Sequence, residues 1–206
     1  MEPIHIFSDV ICPWCFVGRA RLEKALKQTG LKPEILWHPF ELNPDTPPAG
    51  YDRHQYLSDK FGGDDAVAMA DARLGALAEA EGIPFNFKAM QRIPNTFQAH
   101  RLIAFAERSG KGDQVADLLF RANFMLGQDV SDLKVLVEVG AKAGLDAGEL
   151  EAHLKGKEGF EELAREEQEA RDMGLRGVPY YIINEQRFYG AQEVATFVKA
   201  LQAKPA

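Results

Sequence analysis

The chain has 206 residues, 46% of them apolar, and a formal net charge of −7. That length suits one large domain or two small ones, and the acidic balance argues against a general nucleic-acid binder, which presents a basic patch. No apolar run approaches the ~20 residues of a membrane-spanning helix, and residues 1–7 lack the basic and apolar stretches of a secretory signal, so the expectation is a cytoplasmic protein with neither membrane nor nucleic acid as partner.

The first elements read as strand, turn, helix and strand. Residues 3–7 are short, apolar and β-rich, and Ser8 to Ile11 leave that strand. Pro13 suits the first turn of a helix, where a missing N–H costs nothing. Ala20, Leu22, Ala25 and Leu26 continue a helical pattern that Gly30 ends. Residues 33–40 read as a second strand centred on Ile35, Leu36 and Trp37, which completes a βαβ unit.

Pro44, Pro47 and Pro48 mark an irregular connection, after which the texture changes. Residues 51–61, 64–81, 96–108, 112–126, 132–143 and 147–154 each carry apolar residues at three- and four-residue spacing and predict helices. Asp64 and Ser131 are expected N-caps, and Gly82, Gly110 and Gly144 expected stops. Residues 157–173 predict another helix. A strand over 178–184 follows, with Glu185-Gln186 as a tight turn, residues 187–189 as the hairpin partner, and a last amphipathic helix over 191–201.

The order is βαβ, a helical block, then αββα. Without the block, what remains is the thioredoxin topology. The expected fold class is therefore α/β, a thioredoxin fold with an inserted all-helical domain. Residues 1–43 form the first part, 44–156 the insertion and 157–206 the second part.

The chain has two cysteines, Cys12 and Cys15, in Cys12-Pro13-Trp14-Cys15. A bond between them closes too small a loop to staple a fold, and in a reducing setting such a pair is catalytic, redox-sensing or metal-binding. A structural zinc takes four ligands. There is no second CxxC, and His5, His38, His54, His100 and His153 show no paired ligand spacing, so no metal is expected. The thiolate is the nucleophile, and a helix N-terminus favours an anion. Cys12 stands at that boundary and is the expected attacking sulfur. Cys15, one turn in, is the expected resolving thiol. Pro13 and Trp14 tune the pair, and Trp14 adds a face for substrate. Val178-Pro179 precedes the late strand. In this topology that proline stacks beside the CxxC, and a cis bond, found at only about 5–6% of X–Pro bonds, turns the backbone of Val178 toward the sulfurs.

The stretch from Ser8 to Gly18, with Pro39 to Pro44, Pro94 to Leu102, Gly177-Val178-Pro179 and Gly190-Ala191-Gln192, resembles the DsbA-like oxidoreductases of the FrnE type over nearly the whole chain. The resemblance implies a thioredoxin fold with a helical insertion, dithiol–disulfide exchange and a cis-proline loop, placed here on Cys12, Cys15 and Pro179. It implies protein or small-molecule thiols and disulfides as partners. The architecture is also similar to glutathione-dependent 2-hydroxychromene-2-carboxylate isomerases and kappa-class glutathione transferases. Those carry serine where Cys12 stands, and both cysteines here favour redox exchange. No bound cofactor is expected. Glutathione is a candidate substrate or ligand, and Val178 its backbone contact. Periplasmic relatives often hold histidine between the cysteines, so Trp14 gives no ground for expecting a strongly oxidising potential. Two alternatives stand beside exchange: a glutathione-dependent isomerase or transferase, and a non-enzymatic chaperone or binding module.

Three secondary expectations complete the reading. Asp9 either caps its loop or shuttles protons for Cys15. The helix beginning at Asn95-Thr96 is capped by one of them, or it lines a groove between the two domains through His100 and Arg101. Trp37 and the phenylalanines 40, 85, 87, 97, 105, 120 and 124 belong to the core, while one of Tyr180 and Tyr181 is exposed near the sulfurs.

Overall fold

A computed structural model describes residues 2–203. The central sheet has the order β2-β1-β5-β6. Strand β1 (Ile4–Ser8) runs parallel to β2 (Ile35–Pro39), with Ile4 opposite Ile35 and Ser8 opposite Pro39. It runs antiparallel to β5 (Tyr180–Ile183), which forms a hairpin with β6 (Gln186–Tyr189). β1 is central because its own residues are apolar on both faces. Ile4, Ile6 and Phe7 are all buried, as a strand covered on both sides requires.

Helix α1 (Pro13–Thr29) packs beside α9 (Val194–Gln202). Gly30 ends α1 in the left-handed region, φ 69°, with its N–H on the Leu26 carbonyl. A second glycine of α1 is set by close approach. A Cβ on Gly18 would lie 2.1 Å from the Tyr181 hydroxyl, so only hydrogen fits where α1 crosses β5.

The helical block follows β2. It contains α2 (Arg53–Phe61), α3 (Asp64–Glu81), α4 (Phe97–Glu107), α5 (Gly112–Phe124), α6 (Leu133–Lys142) and α7 (Ala147–Lys155), and α8 (Phe160–Asp172) returns the chain to β2. The buried side chains of β1 and α1 and those of α4 to α7 form one continuous apolar cluster. Its centre is a run of rings: Phe16 stacks 5.1 Å from Phe120 and 5.8 Å from Phe85, and Trp37 meets Phe120 at a tilt, 5.9 Å away. Ring pairs at these separations add to the area they bury, so α1 is anchored to the helical block through Phe16.

Several local expectations are corrected. Tyr51 and Asp52 are not helical. They form β3 (Tyr51–Asp52), paired with β4 (Arg92–Ile93), and Asp52 caps α2 by accepting from Gln55 N at 2.8 Å. Asp64 lies inside the first turn of α3, behind Gly63. Asp132 rather than Ser131 caps α6, because Asp132 has the extended φ/ψ of an N-cap and accepts from Lys134 N. The β5–β6 turn is Asn184-Glu185, one residue earlier than expected. Both take positive φ, 46° and 63°, the twist a two-residue hairpin loop needs.

Candidate functional site

Cys12 is the N-cap residue of α1, with φ −86° and ψ 110°, and Pro13 occupies the first turn. The Cys12 N–H donates to the Asp9 carbonyl at 3.0 Å, and the Cys12 carbonyl accepts from Cys15 N at 3.0 Å. This wraps the chain tightly from loop into helix. No acidic residue occupies the first turn of α1, so nothing there competes with an anion for its N–H groups.

The two cysteines are unbonded thiols and both are buried. The Cys12 thiol donates to the Val178 carbonyl at 3.6 Å, across 166 positions of sequence. The Val178–Pro179 bond is cis. Val178 lines the cleft described below, whereas Pro179 is buried behind it and accepts from Gly190 N at 2.8 Å. Burial pushes the Cys15 thiol well up from its ordinary range, and its bond to Cys12 and the charge there push it further. The Ser8 hydroxyl and the Asp9 backbone oppose this without overcoming it. Cys15 is thus held as a thiol behind Cys12.

Tyr180 and Tyr181 are both buried, and neither is the exposed residue expected near the sulfurs. The Tyr181 hydroxyl has no hydrogen-bond partner. Burial, then the neighbouring charges of Cys15 and Cys12, push it well above the ordinary phenol range. Its ring meets Phe197 edge-on at 4.9 Å, which fixes it under α1.

Asp9 is completely buried. Its carboxylate accepts from Leu42 N at 2.7 Å and Ile11 N at 3.4 Å, and lies 3.5 Å from His100 Nε2. It therefore joins the loop before Cys12 to the segment after β2. Glu167 Oε1 accepts from Glu41 N at 2.8 Å in the same buried cluster, and Thr96 donates to Glu41 at 3.5 Å. Burial, reinforced by Glu167, pushes the Glu41 carboxyl up to about 7. Burial works to lower His100, but the bond and charge of Asp9, with Glu167 and Glu41, raise it instead.

Asn95 caps α4 by accepting from Phe97 N at 3.1 Å, while Thr96 makes no capping bond. His100 and Arg101 do not line the cleft beside Cys12; they line a separate small cavity of about 70 Å³ with Ser8, Trp37 and Pro39 of the sheet and Leu163 of α8. Arg101 is buried, donates to the carbonyls of His153, Leu154 and Glu158 at 2.7–3.3 Å, and stacks on Phe160 at 4.4 Å. It holds the connection from α7 to α8.

Cys12, Pro13, Trp14 and Val178 line one cleft of about 810 Å³. Trp14, 48% exposed, forms one lip. The far wall comes from residues the sequence reading did not single out as site residues: Leu57, Lys60 and Phe61 of α2, Arg73, Leu74 and Leu77 of α3, and Phe87 and Met90 before β4. A sequence signal for them is that Phe61, an apolar side chain, ends its helix directly before Gly62-Gly63. Among the described residues, no group of three or more His, Cys, Asp or Glu side chains is placed to hold a metal ion.

A family model for the DSBA-like thioredoxin domain matches residues 3–202. The chain is 28% identical over 200 residues to the protein YwbO of Bacillus subtilis (strain 168), covering 96% of this chain and 94% of that one. Among solved structures it is similar to a probable DsbA oxidoreductase, SCO1869 from Streptomyces coelicolor. That match has a TM-score of 0.87 and 32% identity, over 100% of this chain and 93% of the other. It also shares its fold with the cytosolic disulfide reductase DsbM from Pseudomonas aeruginosa, solved with GSH, at a TM-score of 0.66 and 19% identity over 97% and 93% of the two chains.

Proposed function

The chain belongs to the DSBA-like thioredoxin domain family, and from that membership and the surroundings of Cys12 we propose that it exchanges disulfides with protein or small-thiol substrates through a mixed disulfide on Cys12. The observation that carries the reading is the pairing of unlike sulfurs. Cys12 stands at the N-cap of α1 and lines an open cleft, while Cys15 is buried behind it and kept protonated.

In the reductive direction, the Cys12 thiolate attacks one sulfur of a substrate disulfide and expels the other as a thiolate. Cys15 loses its proton, attacks Cys12 Sγ, forms the Cys12–Cys15 disulfide and releases the second substrate thiolate. Two electrons pass from the protein dithiol to the substrate, and the reverse sequence oxidises a substrate dithiol. The raised Cys15 pKa serves the order of events, because a protonated Cys15 does not compete with Cys12 for the incoming disulfide. The Val178 carbonyl, 3.6 Å from Cys12 Sγ, marks the side from which the cis-proline segment faces the sulfur. Pro13 and Trp14 shape the lip, and Val178, backed by the buried Pro179, the facing edge. Glutathione is the small thiol that the resemblance points to, as substrate or as reductant of the pair.

The test compares wild type with Cys12→Ser in insulin reduction and in oxidation of reduced ribonuclease. Loss of both activities in the variant is expected. Equal activity in the two proteins sinks the exchange reading and returns the isomerase or binding-module alternatives.

A further inference from the structure

The cleft beside Cys12 carries more chemistry than disulfide exchange demands. Its walls are apolar, with Phe61 49% and Trp14 48% exposed toward solvent. Its volume of about 810 Å³ lies within the range of small-molecule sites, roughly 300–1,000 Å³. Three cations line it. Arg53 is neutralised by Asp71 at 2.7 and 3.0 Å and lies over Phe87 at 5.1 Å. Lys60 and Arg73 are different. Among the described residues, neither has a carboxylate within 4.0 Å, although the chain as a whole is acidic. Lys60 Nζ donates to the Tyr56 hydroxyl at 3.3 Å and lies over that ring at 5.2 Å. Two unpaired cations at an apolar cleft in an acidic protein complement an apolar ligand that carries negative charge.

We propose, resting on the exchange reading above, that the disulfide brought to Cys12 is a small organic disulfide with an apolar body and a carboxylate. The body packs against Phe61, Leu74 and Phe87, and the carboxylate meets Lys60 and Arg73. Electrons balance as in the exchange cycle: the substrate R–S–S–R leaves as two thiols, and the protein ends as the Cys12–Cys15 disulfide. A single turnover of reduced protein needs no further reactant.

The experiment is stopped-flow oxidation of the reduced full chain by four probes. Dithiobis(nitrobenzoate) is aromatic and anionic, dithiodipyridine aromatic and neutral, dithiodipropionate anionic without a ring, and glutathione disulfide anionic and hydrophilic. Each variant is compared with wild type on the same probe, so intrinsic reactivity cancels. The Lys60→Gln/Arg73→Gln double variant lowers the ratio of the anionic aromatic rate to the neutral aromatic rate on the order of fivefold. In wild type, added salt lowers that ratio too, which tests the charge term without any substitution. Phe87→Ala lowers both aromatic rates relative to dithiodipropionate, on the order of tenfold.

Unchanged ratios in both variants, with no salt effect in wild type, overturn the assignment. So does a disulfide-bonded unfolded polypeptide that reacts faster than the aromatic anion and loses the same factor in the double variant, since the occupant is then a polypeptide. A wild type that reacts with none of the probes, or no faster than Cys12→Ser, refutes the exchange reading itself and is a separate outcome.

Discussion

Replacing Gly18 by alanine probes the contact that positions α1, the helix that carries both cysteines. The residue lies in mid-helix, where alanine is intrinsically favoured by up to ~1 kcal/mol. Yet the added methyl would sit 2.1 Å from the Tyr181 hydroxyl, 3.2 Å from the ring carbon bearing it and 3.4 Å from the Ala191 backbone. Tyr181 cannot swing away, because it is fully buried and held edge-on by Phe197. Overpacking of this kind costs about 1–3 kcal/mol and outweighs the helix preference, so Gly18→Ala destabilises by about 1–2 kcal/mol net. Tyr181→Phe removes the clashing atom, and also a buried hydroxyl with no partner. Alone it is neutral or stabilising by up to ~1 kcal/mol. In that background the nearest ring carbon is 3.2 Å from the new methyl, which needs a shift of a few tenths of an ångström. Gly18→Ala is then close to neutral. The four proteins form a double-mutant cycle, measured by urea unfolding of the reduced chains, with an expected coupling of about 1–2 kcal/mol. Additive effects, or a Gly18→Ala that stabilises wild type, refute the argument that α1 and β5 meet through this hydroxyl.

Two further outcomes are expected. Cys15→Ser leaves the attacking sulfur and removes the resolving one, so it accumulates a mixed disulfide on Cys12 that mass spectrometry detects after mixing with a disulfide substrate; wild type shows none. The Glu41 and Glu107 carboxyls, both pushed up to about 7 by burial, hold protons in the folded chain that the unfolded chain has already lost, so their contribution to stability falls as pH rises from about 5 to about 7. Glu41→Gln removes part of that proton uptake, and denaturant unfolding across this range then shows a shallower fall, on the order of 1 kcal/mol less. An identical slope in the variant shows that Glu41 does not titrate there.

Much of this protein was legible along the chain. The redox pair, its place at a strand-to-helix boundary, the helices of the middle block and the late hairpin all follow from spacings of a few residues. So does the thioredoxin topology, because element order needs only the alternation of strand and helix signals. Errors of element boundary came where a neighbour in space decided. Tyr51 and Asp52 have a helical pattern after them, yet they pair with Arg92 and Ile93. The hairpin turn moved to Asn184-Glu185 because the strand register, not the local composition, chose which two residues take positive φ.

Residue chemistry and spacing alone therefore determined where the two sulfurs stand, one at the helix N-cap and one a turn in, since a helix N-terminus and the next turn are local features. Only the tertiary structure decided what surrounds them. Val178 reaches Cys12 across 166 positions, Tyr181 is buried under Gly18 rather than exposed, Asp9 bonds the Leu42 amide, and Lys60 and Arg73 face the cleft. Each of these contacts joins elements far apart in the chain. Their meeting depends on how the sheet, α1 and the helical block pack together, and periodicity records which face of an element is buried but not what it is buried against.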